Sequence, residues 1–296
     1  MRVQKGAILP LTLIIMAILS VLALSIVSRA RDTLEFTIEQ KQEFADYIAI
    51  NNAMTNAVYM LSVGVPSPNA FTLPGSAEQK VYVDGRVMDF EGVQTSIQDS
   101  AGLLSLAVAS HQDFYNLLRT FTSSSQAASI SKDFSNWRNP KSSSSIASSG
   151  RTDEYFPRHS FMRSADELLE IPGIGQSDFF NQKEGEPGLR DYVVVGGADW
   201  YNFATMPELL ISALYSLSDS QLVNLLKARE DENWEYFTQL HRSLGMYSEM
   251  PIQPSNHFLM KFHGKHYSGR AQIGITIGDL PLFTKTLWQY PDAARY

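Results

Sequence analysis

Residues 7–27 read AILPLTLIIMAILSVLALSIV, 21 positions from Ala7 to Val27 without a charge. As an α-helix this run would measure about 31 Å, close to the hydrocarbon thickness of a bilayer. Its polar residues are Thr12, Ser20 and Ser25, whose hydroxyls can bond a helical carbonyl one turn earlier. Pro10 falls in the first turn, where a missing N–H costs little. Arg2 and Lys5 precede the run and orient it with the N-terminus cytoplasmic and the remainder exported. The helical pattern continues past the run. Leu34, Ile38, Phe44, Tyr47, Ile48, Met54, Val58 and Leu61 recur at helical spacing, with Ala45, Ala49, Ala53 and Ala57 on a neighbouring stripe. Gly64 and Pro66 are the first breakers. The expectation is one helix of more than fifty residues, apolar first and amphipathic second; the alternative is a membrane anchor followed by an unrelated helix.

The whole chain has 296 residues, room for about two domains. Apolar residues make up 44% and charged residues 19%, enough for a packed core. The formal net charge of −7 argues against a protein whose main task is gripping phosphate backbones. With no cysteine, disulfide staples, thiolate zinc sites and cysteine nucleophiles are excluded.

Beyond the helix, residues 67–110 read as β. Val81 to Phe90 alternates around Asp84-Gly85, a hairpin signal, and Val93 to Ile97 reads as a further strand. His111 to Phe121 is helical, and Thr122 to Gly150 is serine-rich and expected as a long mobile loop. Ser164 to Glu170 reads as a helix with Ser164 and Glu167 as a capping box. Met206 to Leu217 and Asp219 to Arg229 read as two short helices, the second capped by Ser218. Residues 250–288 return to β, with alternating runs His257–Phe262 and Ala271–Ile277 about a polar turn. This order suggests an α domain spliced into a small α/β domain.

Three sharper motifs carry less than they promise. Glu170-Ile171-Pro172-Gly173-Ile174-Gly175 is close to the hairpin of helix-hairpin-helix DNA-binding modules. Seven acidic and two basic residues between Asp166 and Asp191 oppose a phosphate there, so no nucleic-acid partner is expected. Ser129-Ile130-Ser131-Lys132 matches the Ser-x-x-Lys of serine acyl enzymes without its supporting signatures. His263 and His266 flank Gly264-Lys265 in a turn, where solvation is the plainer reading than metal ligation. No enzyme activity is expected.

The junction Lys5-Gly6-Ala7, a short basic leader followed at once by the apolar run, resembles the prepilin class, and the long helix resembles the spine of type IV pilins and pseudopilins. Nearly the whole chain resembles general secretion pathway protein K, the large minor pseudopilin of type II secretion. Gln98-Asp99-Ser100-Ala101-Gly102-Leu103-Leu104-Ser105-Leu106, Phe134-Ser135-Asn136-Trp137-Arg138-Asn139-Pro140, Ser164 to Gly175, Trp200 to Thr205 and Ser255-Asn256-His257-Phe258 are similar, in order and spacing, to segments of that family.

The resemblance implies an α+β fold: a pilin-like long N-terminal helix packed on a small antiparallel sheet, with a large inserted α-helical domain. The segments are a prepilin leader (1–6), the membrane half of the helix (7–27), the first part of a pilin-like domain (28–110), the insert (111–248) and the C-terminal strands (249–296). It implies cleavage by prepilin peptidase between Gly6 and Ala7 and N-methylation of Ala7. Leu11 becomes mature position five, where most relatives carry a glutamate that pairs with the subunit above; an apolar residue there suits a subunit at the tip. The implied partners are the I- and J-type minor pseudopilins and the pseudopilus assembly platform. The implied location is the bacterial inner membrane, single-pass, with a periplasmic C-terminal domain. The family's insert holds calcium. Here Asn136, Asn139 and Lys141 stand where the family places aspartates, leaving Asp153 and Glu154 as candidate ligands, and a lysine there works against a divalent cation. A minor pilin of a type IV pilus, and an anchored periplasmic enzyme or binding protein, are the competing readings.

Overall fold

The computed structural model describes residues 8–75, 79–139, 158–181, 186–245, 252–276 and 281–292. Helix α1 spans Ile8–Val63, 56 residues. The chain divides after Ile48 into two compact units.

In the first unit the helix is uncharged as far as Val27, and its apolar side chains there, Leu11, Ile14, Leu22 and Leu24 among them, are exposed. It is long and apolar enough to cross a membrane. Ser20 Oγ donates to Met16 O at 2.8 Å, as expected for a hydroxyl in an apolar helix, and Thr33 and Thr37 bond back likewise.

The second unit begins with the last turns of α1. Ile50, Ala53, Met54, Ala57, Val58 and Leu61 are buried at spacings of three and four. The helix stops where Gly64 N donates to Met60 O at 2.9 Å. A Cβ at Gly64 would lie 2.8 Å from that oxygen and 2.9 Å from Phe71 Cβ, so the exit needs glycine. Strands β1 (Val65–Ser67), β2 (Ala70–Thr72) and β3 (Lys80–Tyr82) form a small antiparallel sheet. Strands β4 (Asp84–Phe90) and β5 (Val93–Asp99) follow, then β6 (Leu104–Ser105). Next come α2 (His111–Leu118), α3 (Ser124–Arg138), β7 (Val193–Val194), α4 (Glu208–Leu214), α5 (Asp219–Glu230) and α6 (Trp234–Ser243). Strands β8 (His257–His263), β9 (Ser268–Ile275) and β10 (Phe283–Gln289) close the chain.

The main sheet has the order β10-β9-β8-β5-β4, antiparallel throughout. Its centre joins β5 to β8, with residues 100–256 intervening as an insert. Val93, Ile97, Phe258, Met260, Phe262, Ala271 and Ile273 form one apolar cluster with the last turns of α1. Burying each of the larger side chains contributes about 1.5–3 kcal/mol. A second cluster lies within the insert, around Phe114, Phe134, Leu168, Ile174, Phe203 and Phe237.

Several expectations are corrected. The hairpin turn is not at Asp84-Gly85 but at Glu91-Gly92, where φ is 55° and 88° and Phe90 pairs with Val93. Those two positive φ values are what a two-residue hairpin turn requires. Asp84-Gly85 instead opens β4 at a register shift, a bulge held by Arg86 Nε on Asp84 at 2.9 Å. The serine-rich stretch is helical over Ser124–Arg138. Ser123 caps it through Gln126 N, and Ala127, Ile130, Phe134 and Trp137 are buried along one face; residues 140–150 lie outside the described residues. Ala165–Glu170 is a 3₁₀ turn. Ser164 caps Asp166 there, and Glu167 turns to Arg158 at 2.7 Å and to Arg163 N at 3.0 Å, so no capping box forms. The helix expected over 206–217 is confined to Glu208–Leu214, entered at Pro207. Ser218 does cap α5, in a box with Gln221.

Candidate assembly surface

The surface offered by α1 comes directly from its sequence. Leu11, at the position expected to matter for stacking, is 58% exposed on the helix. Beyond the membrane-length run, Leu34, Ile38, Phe44 and Ile48 remain exposed, at the spacing predicted for an amphipathic stripe. A contiguous apolar face of this kind marks a lipid or protein contact. Gly6 and Ala7 lie outside the described residues.

The insert is held to the sheet by buried polar groups. Asp99, at the end of β5, is 0% exposed. Its Oδ1 accepts from Ser255 N at 3.0 Å, Ser255 Oγ at 2.6 Å and Ala101 N at 3.3 Å; Oδ2 accepts from Asn202 Nδ2 at 3.0 Å and Thr205 Oγ1 at 3.2 Å. One carboxylate thus ties the entry of the insert, its middle and its exit. Burial pushes the Asp99 carboxyl up, while the bonds from Ser255, Asn202 and Ala101 pull it back. Gly102 lets the 202–205 segment approach, since a Cβ there would lie 2.6 Å from Thr205 O.

A second fastening is ionic. Arg190 pairs with Asp166 at 2.8 Å and Asp292 at 2.9 Å, and donates to Gln289 Oε1 at 2.6 Å. Asp191 is bound by Lys261 at 2.5 Å and faces Arg270 at 3.7 Å. Burial works against the Asp191 charge, yet Lys261 and Arg270 outweigh it and hold the carboxyl below the ordinary range. Arg270, 3% exposed, donates to Arg190 O at 2.9 Å. Burial, with Arg190 beside it, brings its pKa down to about 10.

Sequence reading missed these residues as a set. The signal for Arg270 was a charge beside an otherwise inward-alternating strand; Asp99 stood inside a quoted motif with no role attached.

The remaining expected site residues do not converge. Asn136 is exposed on α3, and Asn139 ends that helix with its carbonyl oxygen 3.0 Å from His159 Nδ1. Lys141, Asp153 and Glu154 lie outside the described residues. Among the described residues no group of three or more His, Asp or Glu side chains could hold a metal ion. In the described part of the expected calcium region, Asn136 and Asn139 offer amide oxygens without charge, and the carboxylates of the expectation lie outside the described residues. The Ile171–Gly175 turn buries Ile171 and Ile174. A Cβ at Gly175 would fall 2.2 Å from Leu169 O, which accounts for that glycine by packing. His263, at the end of β8, lies 3.3 Å from Ser268 Oγ through Nδ1.

Neither a protein-family model nor a curated protein sequence matches the chain. Among solved structures it is similar to a chain of the GspK–GspI–GspJ complex from the type 2 secretion system of enterotoxigenic Escherichia coli. The likeness has a TM-score of 0.51 and 14% identity, over 86% of this chain and 98% of that one. At that identity the likeness speaks to architecture: the chain has the pilin-like α+β fold, a long N-terminal helix followed by antiparallel sheets.

Proposed function

We propose that the chain is a K-type minor pseudopilin of a type II secretion system, a structural subunit without catalytic activity. The observation that carries this reading is the shared fold over nearly all of the neighbour's length. The exposed apolar helix adds to it. In this reading prepilin peptidase cuts after Gly6, Ala7 is N-methylated, and the apolar run stays in the inner membrane with the C-terminal part in the periplasm. Leu11 then brings no carboxylate to mature position five. A charge in lipid is costly without a partner cation, so a subunit with nothing stacked above it has no use for one. The chain would cap a pseudopilus with I- and J-type partners on the assembly platform and contribute to export across the outer membrane. The division into a pilin-like domain and an insert over 111–248 belongs to the same proposal. So does calcium held by Asp153 and Glu154, for which the described residues offer no support; a flat calorimetric titration with calcium would remove it.

The test is co-expression of the full chain with prepilin peptidase and with I- and J-type pseudopilins. The expected product lacks its first six residues, starts at a methylated Ala7, and co-purifies with both partners. An uncut chain that binds neither partner supports the plain membrane-anchor reading and overturns this one.

A further inference from the structure

Between the insert and the sheet lies a cavity of about 50 Å³, whose polar lining includes Arg163, Asp166, Arg190, Arg270, Gln272 and Thr286. One water needs about 10–15 Å³ of such space, so the cavity exceeds a single water and suits a small ion. Asp166 is the acidic residue in this lining, and its oxygens already accept from Arg190 and Gln289. Arg270 is buried with five guanidinium N–H groups to satisfy. Nη2 serves Arg190 O, and the nearest paired carboxylate oxygen, on Asp191, is 3.7 Å away and taken by Lys261. The surrounding charges balance as Arg190, Arg270 and Lys261 against Asp166, Asp191 and Asp292. Glu167 is engaged by Arg158. Arg163, exposed and lining the same cavity, adds one further positive charge.

We propose that this cavity binds a small inorganic oxoanion, phosphate or sulfate, held between the Arg270 and Arg163 guanidinium groups, with the second Nε2 hydrogen of Gln272, whose first goes to Val195 O, as a further donor. An oxoanion there would accept charge-assisted N–H···O bonds, which are stronger than those between neutral groups. Burial, and Arg190 beside it, lower the pKa of Arg270 against the pull of Asp191, Asp292 and Asp166, and an anion in the cavity would work in the same sense as those carboxylates. The proposal rests on the cavity alone and stands apart from the secretion reading.

The test is thermal unfolding of the full-length protein in detergent, titrated with sodium phosphate or sulfate against sodium chloride at equal ionic strength. At about five times the dissociation constant, the midpoint should rise by about 2–4 °C above the chloride control. Arg163→Gln, at an exposed position, should fold as the parent does in chloride and lose about tenfold in phosphate affinity. Arg163→Lys, which keeps the charge but not the planar fork, provides a second, smaller loss that does not touch the ion pairs. Equal midpoints in phosphate and chloride, or a phosphate effect that Arg163→Gln leaves unchanged, overturn the proposal.

Discussion

On one face of β8 and β9, Phe258, Met260, Phe262, Ala271 and Ile273 meet the last turns of α1. On the other, Lys261, Arg270 and Gln272 reach Asp191, Arg190 O and Val195 O in the insert. The same two strands supply both sets, because alternate residues point to opposite sides of the sheet. The apolar face draws on area removed from water and tolerates small changes of shape. The polar face depends on every buried group finding its partner, and losing one partner leaves the other stranded. The helix is therefore held by many interchangeable contacts and the insert by a few specific ones.

The sharpest way to break this contrast is Asp99→Ala. It removes the shared acceptor of five donors and leaves the Ser255 and Ala101 backbone N–H groups without it, and the expected loss is about 3–5 kcal/mol in denaturant unfolding. A loss no larger than a surface substitution would show that the carboxylate is not the fastening. Replacing the buried pair as a unit, Asp191→Leu with Lys261→Met, should be neutral or stabilising by about 1–4 kcal/mol. A large destabilisation would mean the ions contribute more than their desolvation costs. On the opposite face, Ile273→Val should cost about 0.5–1.5 kcal/mol in the same assay.

Acid separates the faces without mutation. Asp191 has a lowered native pKa, so its contribution is present above its unfolded value of 3.8 and is lost as pH falls through the native value. Asp99 has a raised pKa and works in the opposite direction, penalising the fold as pH rises from 3.8 toward its native value. Hydrogen exchange below pH 4 should therefore show protection falling at 189–195 while the paired amides of β8 and β9 keep theirs. Simultaneous loss in both places would join the two faces into one cooperative unit.

The parts legible in the sequence were those with short-range causes. Helix α1 ends where Gly64 and Pro66 say it should, and Ser218 with Gln221 announces α5. Helix α3 was hidden because its exposed positions are largely serine and other polar residues; four buried apolar side chains, widely spaced in a polar stretch, carry it. The first hairpin was misplaced because two glycines compete. A glutamate with positive φ decided between them, and Glu has no particular preference for that conformation. The polar fastening could not be read at all. It gathers residues 99, 202 and 255, and separately 166, 190, 270 and 292, which no local pattern connects.

The pairing of β5 with β8 has a consequence for how the chain is made. Asp99 and its hydrogen-bond partner Ser255 are 156 positions apart. During N-to-C synthesis, β5 waits with an open edge while the entire insert emerges. Closing so long a loop is slow, and an unpaired edge invites the wrong strand. A protein arranged this way gains from having its helical segment fold first, drawing the two ends together before the central strands must find each other.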